Sequence, residues 1–433
     1  MIPDFELYIH IPFCVRKCAY CDFLSAPASE DVRERYVQAL CREIRESGES
    51  LRDRKNAEQA LCREIKASGE SLRDRKKAEQ ALCREIKASG QRKTSLAERT
   101  VSTVFFGGGT PSILEAGQIE RIMKACREAF LFAENAEVSL EANPGTLTMD
   151  KLEGYRRAGI NRLSLGLQSV HENELRLLGR IHSYDDFLES YRLARKAGFT
   201  NINVDLMSAL PGQTWDSYRE CLEQVTALAP EHISAYSLIV EEGTLFYERY
   251  GDEEKRREAG KETLLLPSEE EEREMYENGV DYLRKAGYRR YEISNFAREG
   301  YVCRHNCGYW TGAEYLGLGL GASSYMEGTR FSNVRDLKRY LEAEGAPALV
   351  RELPEVLSEE EKKEEFFFLG LRMMQGVSAS EFERRFGESW EREYGASMQK
   401  LIRMGYLKQE GDRLFLTEEG VSVSNEVFAE LLL

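Results

Sequence analysis

The sequence predicts an α/β protein built on an open, partial (β/α)6 barrel, with a helical insertion after the first strand and a small C-terminal winged-helix-like α+β unit. Three observations lead there. Up to about residue 240, short apolar strand-like segments alternate with amphipathic helical ones, the pattern of parallel strands joined by crossover helices. The strands number six, too few to close an eight-stranded barrel. Beyond residue 351 the pattern turns helical and ends in a hairpin around Gly411 and Asp412. The expected divisions are 1–240 for the barrel, with the insertion at about 39–90, then 241–350 for a flanking extension and 351–433 for the C-terminal unit.

The first strand, residues 7–11, is a short alternating run that stops at Pro12, because proline cannot continue a ladder. The loop after it carries Cys14, Cys18 and Cys21. Cys-x3-Cys-x2-Cys is a poor disulfide set, since one thiol is left over. It is a good iron trap: a 4Fe-4S cluster is normally held by four thiolates, so three leave one iron open to a small molecule. Zinc and inert thiols are the alternatives.

Residues 31–90 read as helical and contain a repeat. Segments 39–59 (ALCREIRESGESLRDRKNAEQ) and 60–80 (ALCREIKASGESLRDRKKAEQ) are nearly identical, a third copy begins at 81, and Cys41, Cys62 and Cys83 recur every 21 residues. So short and faithful a repeat indicates a tandem duplication, expected to protrude as a helical insertion. Helices broken at Gly48, Gly69 and Gly90, with Ser50/Asp53 and Ser71/Asp74 as capping boxes, compete with one long helix that tolerates its glycines. The copied cysteines travel with the repeat and lack the neighbours of a metal site.

Strands then follow at 101–106, 137–141, 162–168, 201–207 and 232–240, separated by helices at 119–130, 149–158, 184–197 and 215–228. Residues 241–263 read as charged, irregular surface. Ser268 and Ser358 each precede a run of acids, the composition of a helix start. A strand-like stretch at 291–296 leads to a loop from Cys303 to Trp310 and an apolar segment punctuated by Gly317, Gly319 and Gly321.

Composition narrows the function classes. The 433 residues are 42% hydrophobic, enough for a large core, and the net charge of −15 argues against broad attraction to nucleic acid or anionic lipid. No leader and no run of roughly 18 apolar residues is present, so a cytoplasmic location is expected. Ten cysteines in a chain of this length read as cluster ligands and reduced thiols. Gly107-Gly108-Gly109 follows the second strand, and Glu141, Gln168 and Asp205 lie near the ends of three more, where barrel side chains converge on one mouth. With Arg180 they offer acceptors for ribose hydroxyls and an ammonium, and a cation for a carboxylate.

The cysteine triad, the run Gly107-Gly108-Gly109-Thr110-Pro111-Ser112 and the strand-end residues together resemble the radical S-adenosylmethionine (SAM) superfamily, and within it the oxygen-independent coproporphyrinogen III oxidase family. The likeness spans essentially the whole chain apart from the insertion. It implies that the open iron chelates the amino and carboxylate groups of SAM, which electron transfer cleaves to a 5'-deoxyadenosyl radical. It further implies that Tyr8, Gly108 and Glu141 contact this SAM, that Gly109, Thr110, Gln168, Arg180 and Asp205 form a second ligand set, and that Ile239 adds a contact near the end of the sixth strand. Two features resemble a haem-chaperone branch of the family: Phe23 stands where the oxidases carry a further cysteine, and His305-Asn306-Cys307-Gly308-Tyr309-Trp310 fits a His-Asn-x-x-Tyr-Trp pattern. The haem-binding candidates are therefore His305, Asn306, Tyr309 and Trp310, with His305 either an iron ligand or a histidine held by hydrogen bonds. The implied function is to bind haem as cargo and deliver it to haem-dependent respiratory enzymes. The alternatives are a decarboxylating oxidase and a structural iron-sulfur protein without SAM chemistry. Implied partners are haem-accepting proteins and an electron donor, not nucleic acid; peripheral membrane contact and a homodimer stay open.

Overall fold

Leu7, Ile9 and Ile11 of the first strand are fully buried among helices, so by the two-residue period of a strand Glu6, Tyr8 and His10 face the opposite side. That alternation is the plan of the barrel. The computed structural model describes residues 4–67 and 99–432. Strands β1 (Phe5–Ile11), β2 (Thr100–Gly108), β3 (Leu131–Ala142), β4 (Arg162–Gln168), β5 (Ile202–Ser208) and β6 (His232–Ser237) pair in parallel and in sequence order. Their apolar face packs against α1 (Glu30–Ala67), α2 (Ala116–Ala129), α3 (Met149–Ala158), α4 (Tyr184–Lys196) and α5 (Trp215–Ala227). The other face is polar and bonded across strands. The Asn203 amide donates to Ser164 and Asp205, both at 2.7 Å, and His232 Nδ1 lies 2.6 Å from Asn203 Oδ1. Polar groups on this face set up the interior for ligands rather than for dry packing.

The extension continues the same sheet at both edges. Past β6 lie the antiparallel strands β7 (Arg289–Arg290) and β8 (Asn295–Ala297), in the order β6-β8-β7. On the far side β9 (Tyr315–Leu318) pairs in parallel with β1 and is followed outward by β10 (Ser323–Met326), β11 (Thr329–Ser332) and β12 (Glu355–Val356). Among the described residues the two edges do not pair with each other, so the sheet is open.

Two segments read as irregular are helices. Residues 241–263 contain α6 (Leu245–Glu258), started by Thr244 accepting from the Tyr247 amide and seated by Phe246 and Tyr250 on Leu178, Leu210 and Leu238. Its charged residues mask a short apolar face. After α7 (Glu269–Lys285), capped by Ser268, the expected loop from Cys303 to Trp310 is α8 (Arg304–Thr311). The Glu137 carboxylate receives its Arg304 and His305 amides at 3.2 and 3.3 Å, a cap from a distant strand that local sequence does not reveal.

The C-terminal unit runs α9 (Glu359–Gly370), β13 (Val377–Ser378), α10 (Ala379–Phe386), α11 (Glu391–Arg403), β14 (Leu407–Glu410) and β15 (Arg413–Leu416). Ser358 caps its first helix, as expected. Phe367, Phe382, Trp390, Tyr394 and Leu414 form a core of their own.

In the repeat, α1 passes unbroken through Gly48, Ser50 and Asp53, so these residues neither end nor cap a helix. Gly48 has a packing reason instead: a Cβ there would stand 2.7 Å from the Cβ and the carbonyl oxygen of Ala129 in α2. Gly69, Ser71, Asp74, Cys83 and Gly90 lie outside the described residues. The first copy belongs to the core, with Leu40, Cys41, Glu43, Ile44 and Ser47 all buried. Deleting residues 60–80 keeps that copy and rejoins 59 to an identical ALCREI run. Residues 81–86 would take up the sequence that 60–65 give to α1, so the deletion is expected to shift unfolding free energy by only about 0.5 kcal/mol, the order of a change away from the core. Urea unfolding, with iron and haem binding measured alongside, checks this; a loss of several kcal/mol would show that the second copy is structural.

Candidate functional site

The cysteine loop is pinned at both ends. Phe13 and Ala26 form an isolated bridge, Cys14 N–H donates to Ala26 O at 3.2 Å and Ala26 N–H to Pro12 O at 3.0 Å. Its middle is tied to the turn before Arg180, by Ala19 N–H to Leu178 O at 3.0 Å and Arg16 Nη2 to Gly179 O at 2.6 Å. Cys14, Cys18 and Cys21 are free thiols on one cavity at the carboxyl ends of the strands. Among the described residues no three His, Cys, Asp or Glu side chains gather as for a single ion. Three separated thiols suit a multi-iron cluster, whose irons take one thiolate each, better than one tetrahedral zinc.

Gly108, Gly109, Thr110, Glu141, Gln168, Arg180 and Asp205 line the same mouth. The glycines here have a packing reason of their own. Gly109 and Thr110 donate to Ile11 O and Phe13 O at 2.9 and 2.7 Å, and Gly108 N–H donates to Glu141. A Cβ on Gly109 would meet Phe13 O at 2.5 Å, and one on Gly108, whose φ is 110°, the His10 ring at 2.6 Å. Only glycine lets β2 close on the chain entering the cysteine loop. Gln168 is placed by a bulge: the β4–β5 register shifts between Gly166 and Gln168, and Gln168 has φ 73°. A left-handed non-glycine residue is strained, and here the kink re-aims a polar side chain into the mouth.

Arg180 crosses the mouth. It donates to Gly166 O, to Asn143 Oδ1 at 2.9 Å and towards Cys18 Sγ at 3.6 Å, while its Nε is buried without a partner. A Cβ on Gly166 would lie 2.8 Å from the guanidinium. Sequence reasoning missed Asn143 and Ser164, which also line the mouth. Asn143 Nδ2 donates to Thr110 Oγ1 at 2.8 Å, joining the glycine run to Arg180. Its place at the end of β3, just before Pro144, was the available signal.

Burial pushes Glu141 up to about 8, with the neighbouring Asp205 adding to the rise. Asp205 is raised by burial, against hydrogen bonds from Asn203, Ser234 and Ser164. Such a pair favours a ligand bearing hydroxyls or positive charge. The residues therefore fit both groups the superfamily implies, thiols for a cluster and a buried acid pair with a guanidinium for a zwitterionic nucleoside. A raised carboxyl stabilises the fold below its unfolded pKa and loses that contribution as pH rises through the folded one. Without SAM, thermal stability is thus expected to fall between about pH 5 and pH 8. Glu6, held at about 8 by burial and then Glu137, acts in the same sense, so Glu141→Gln should flatten the profile in part and a double variant with Glu6→Gln more fully.

Other expected residues are not brought to this mouth. Tyr8 lines an adjoining cleft, its hydroxyl 3.1 Å from His10 Nδ1. Ile239 is 67% exposed past the end of β6 and does not line the cavity. His305 is 1% exposed, with Nδ1 2.7 Å from Thr103 Oγ1, Nε2 3.0 Å from Tyr309 OH and its ring stacked on Phe105 at 5.1 Å. Burial, then Arg162, holds it down at about 3. Both nitrogens of this neutral imidazole are engaged, so neither faces a ligand in this geometry. The Trp310 ring lies under the Arg372 guanidinium at 4.5 Å. Asn306 is half-buried on α8, and Tyr309 lines the same adjoining cleft as Tyr8.

The family model for the radical SAM superfamily matches residues 83–225, and that for the HemN C-terminal domain matches 357–423. The heme chaperone HemW of Lactococcus lactis subsp. lactis is 35% identical, over 98% of this chain and 97% of that protein. The chain belongs to the HemW family of the radical SAM superfamily. HemW of Bacillus subtilis is 34% identical over 98% of both chains. In fold the chain is similar to coproporphyrinogen III oxidase (HemN) from Escherichia coli, a radical SAM enzyme, with a TM-score of 0.74, 22% identity, and coverage of 99% of this chain and 90% of that one. Radical SAM proteins in general use a 4Fe-4S cluster and SAM, as the HemW family's superfamily membership implies. Among the described residues no helix is long and apolar enough to cross a membrane.

Proposed function

We propose that this chain binds haem and passes it to haem-requiring proteins, respiratory enzymes among them, while holding a 4Fe-4S cluster on Cys14, Cys18 and Cys21 and SAM in the adjoining mouth. One observation carries the cofactor half of this reading: three free thiols, Arg180 and the buried Glu141–Asp205 pair share a single cavity. The relatives named heme chaperone support the other half. When bound, the cluster would supply the electron that cleaves SAM. The chain's own groups would do the holding: Glu141 and Asp205 accept from hydroxyls or an ammonium, Arg180 meets a carboxylate, and Gln168 and Thr110 add polar contacts. Phe23, 67% exposed, forms the rim and offers no fourth thiol.

The test is anaerobic incubation of the cluster-reconstituted chain with coproporphyrinogen, SAM and a reductant, beside titration with haem and transfer to a haem-free acceptor. The expected result is saturable haem binding and transfer without decarboxylated product. Appearance of protoporphyrinogen would overturn the chaperone reading in favour of an oxidase. A reduced cluster whose EPR signal ignores SAM would favour a structural iron-sulfur protein.

A further inference from the structure

Beside the cluster mouth, and sharing Phe23 with it, lies a second, open cleft of about 320 Å3 to which no role has been assigned. Its walls are aromatic. Tyr309 and Tyr315 meet edge to face with centroids 4.7 Å apart, Tyr8 closes the side towards the barrel interior, and Phe23 stands at the rim. Gly321, Ala322 and Ser323 add small residues that leave the space open. Arg335 borders the cleft and makes no ion pair among the described residues, so its guanidinium is available; Asp22 is the acid on the rim. His10, also in the wall, has both ring nitrogens bonded, to Tyr8 OH at 3.1 Å and Leu24 O at 3.0 Å. Aromatic faces and edges lining an open cleft suit a flat, largely apolar ligand that stays partly exposed, and a guanidinium at the border suits a carboxylate at that ligand's edge.

We infer that this cleft is the seat of the haem, holding the macrocycle among Tyr8, Tyr309, Tyr315 and Phe23 and a propionate on Arg335. The inference rests on the haem-binding reading above and adds the place and the manner of recognition. Within it His305 is a positioning residue, acting through its bond to Tyr309 rather than on iron.

The cluster-reconstituted full chain is titrated with haem and with haem dimethyl ester, followed by absorbance, in the wild type, Arg335→Glu and Tyr315→Ala. Arg335→Glu is expected to weaken haem binding roughly tenfold or more, the scale of a lost charge-assisted hydrogen bond, and to leave ester binding unchanged. Tyr315→Ala is expected to weaken both. Should Tyr315→Ala fail to fold, Ser323→Trp, which fills the cleft away from the cysteines, is expected to block both ligands. If the wild type binds haem and Arg335→Glu and Ser323→Trp bind it equally well, the cleft is not the seat and the haem-binding reading stands. If the wild type itself binds no haem, that reading fails.

Discussion

Replacing any one of Cys14, Cys18 or Cys21 with alanine is expected to reduce iron after anaerobic reconstitution from about four atoms per chain to near zero. Among the described residues no other thiol lines the cavity. Burial raises the thiols of Cys14 and Cys21 above their ordinary range, so in the cluster-free chain they are protonated and cluster assembly must release those protons. Arg180 donates towards Cys18 Sγ at 3.6 Å, which ties that cysteine to the far side of the mouth. Cys41→Ala and Cys307→Ala are the controls: Cys41 is buried behind β1 among helices, Cys307 sits on α8, and neither touches the mouth. Iron and sulfide quantification decides the matter. Full iron in a single triad variant, or loss of iron in a control, would refute the assignment.

What local pattern could carry, it carried. Alternation in β1, the serines before the acid runs at 268 and 358, and the glycines after β2 each express a short-range rule, and the architecture follows from them. The mouth was legible for a related reason, since parallel strands in order bring their carboxyl ends together wherever the helices run. Long-range contacts were not legible. Gln168 turns inward through a bulge set by its pairing with β5, Asn143 matters because Arg180 reaches it from another loop, and α8 is capped by Glu137 from β3. His305 shows the same limit: a motif histidine in sequence is, in the fold, bonded at both nitrogens by Thr103 and Tyr309.

Glu43→Ala is expected to cost about 3–5 kcal/mol of stability, a large share of what a domain has. The Glu43 side chain is fully buried in α1 and accepts from Gly319 N–H at 2.9 Å, Asn333 Nδ2 at 2.7 Å and Tyr340 OH at 2.6 Å. Alanine leaves the Gly319 amide and the Tyr340 hydroxyl as buried donors without that acceptor, whereas Asn333 keeps its bond to Gly319 O. Glu43→Gln keeps one acceptor oxygen for the Gly319 and Tyr340 donors and is expected to cost less, on the order of 1–2 kcal/mol. Urea unfolding of the two variants separates these values, and a loss below about 1 kcal/mol in Glu43→Ala would refute the role. The consequence reaches the site. The Gly319 carboxylate contact lies beside Tyr36, whose hydroxyl donates to His10 O at 2.7 Å and accepts from Leu320 N–H at 2.9 Å. Glu43 thus fixes the turn after β9 against β1, behind the wall that His10 gives to the second cleft. Haem affinity in Glu43→Ala should accordingly fall at temperatures well below unfolding. The repeat places glutamates at the equivalent positions 64 and 85, identical in sequence context, and only the fold shows that it is the first copy whose carboxylate fills this slot.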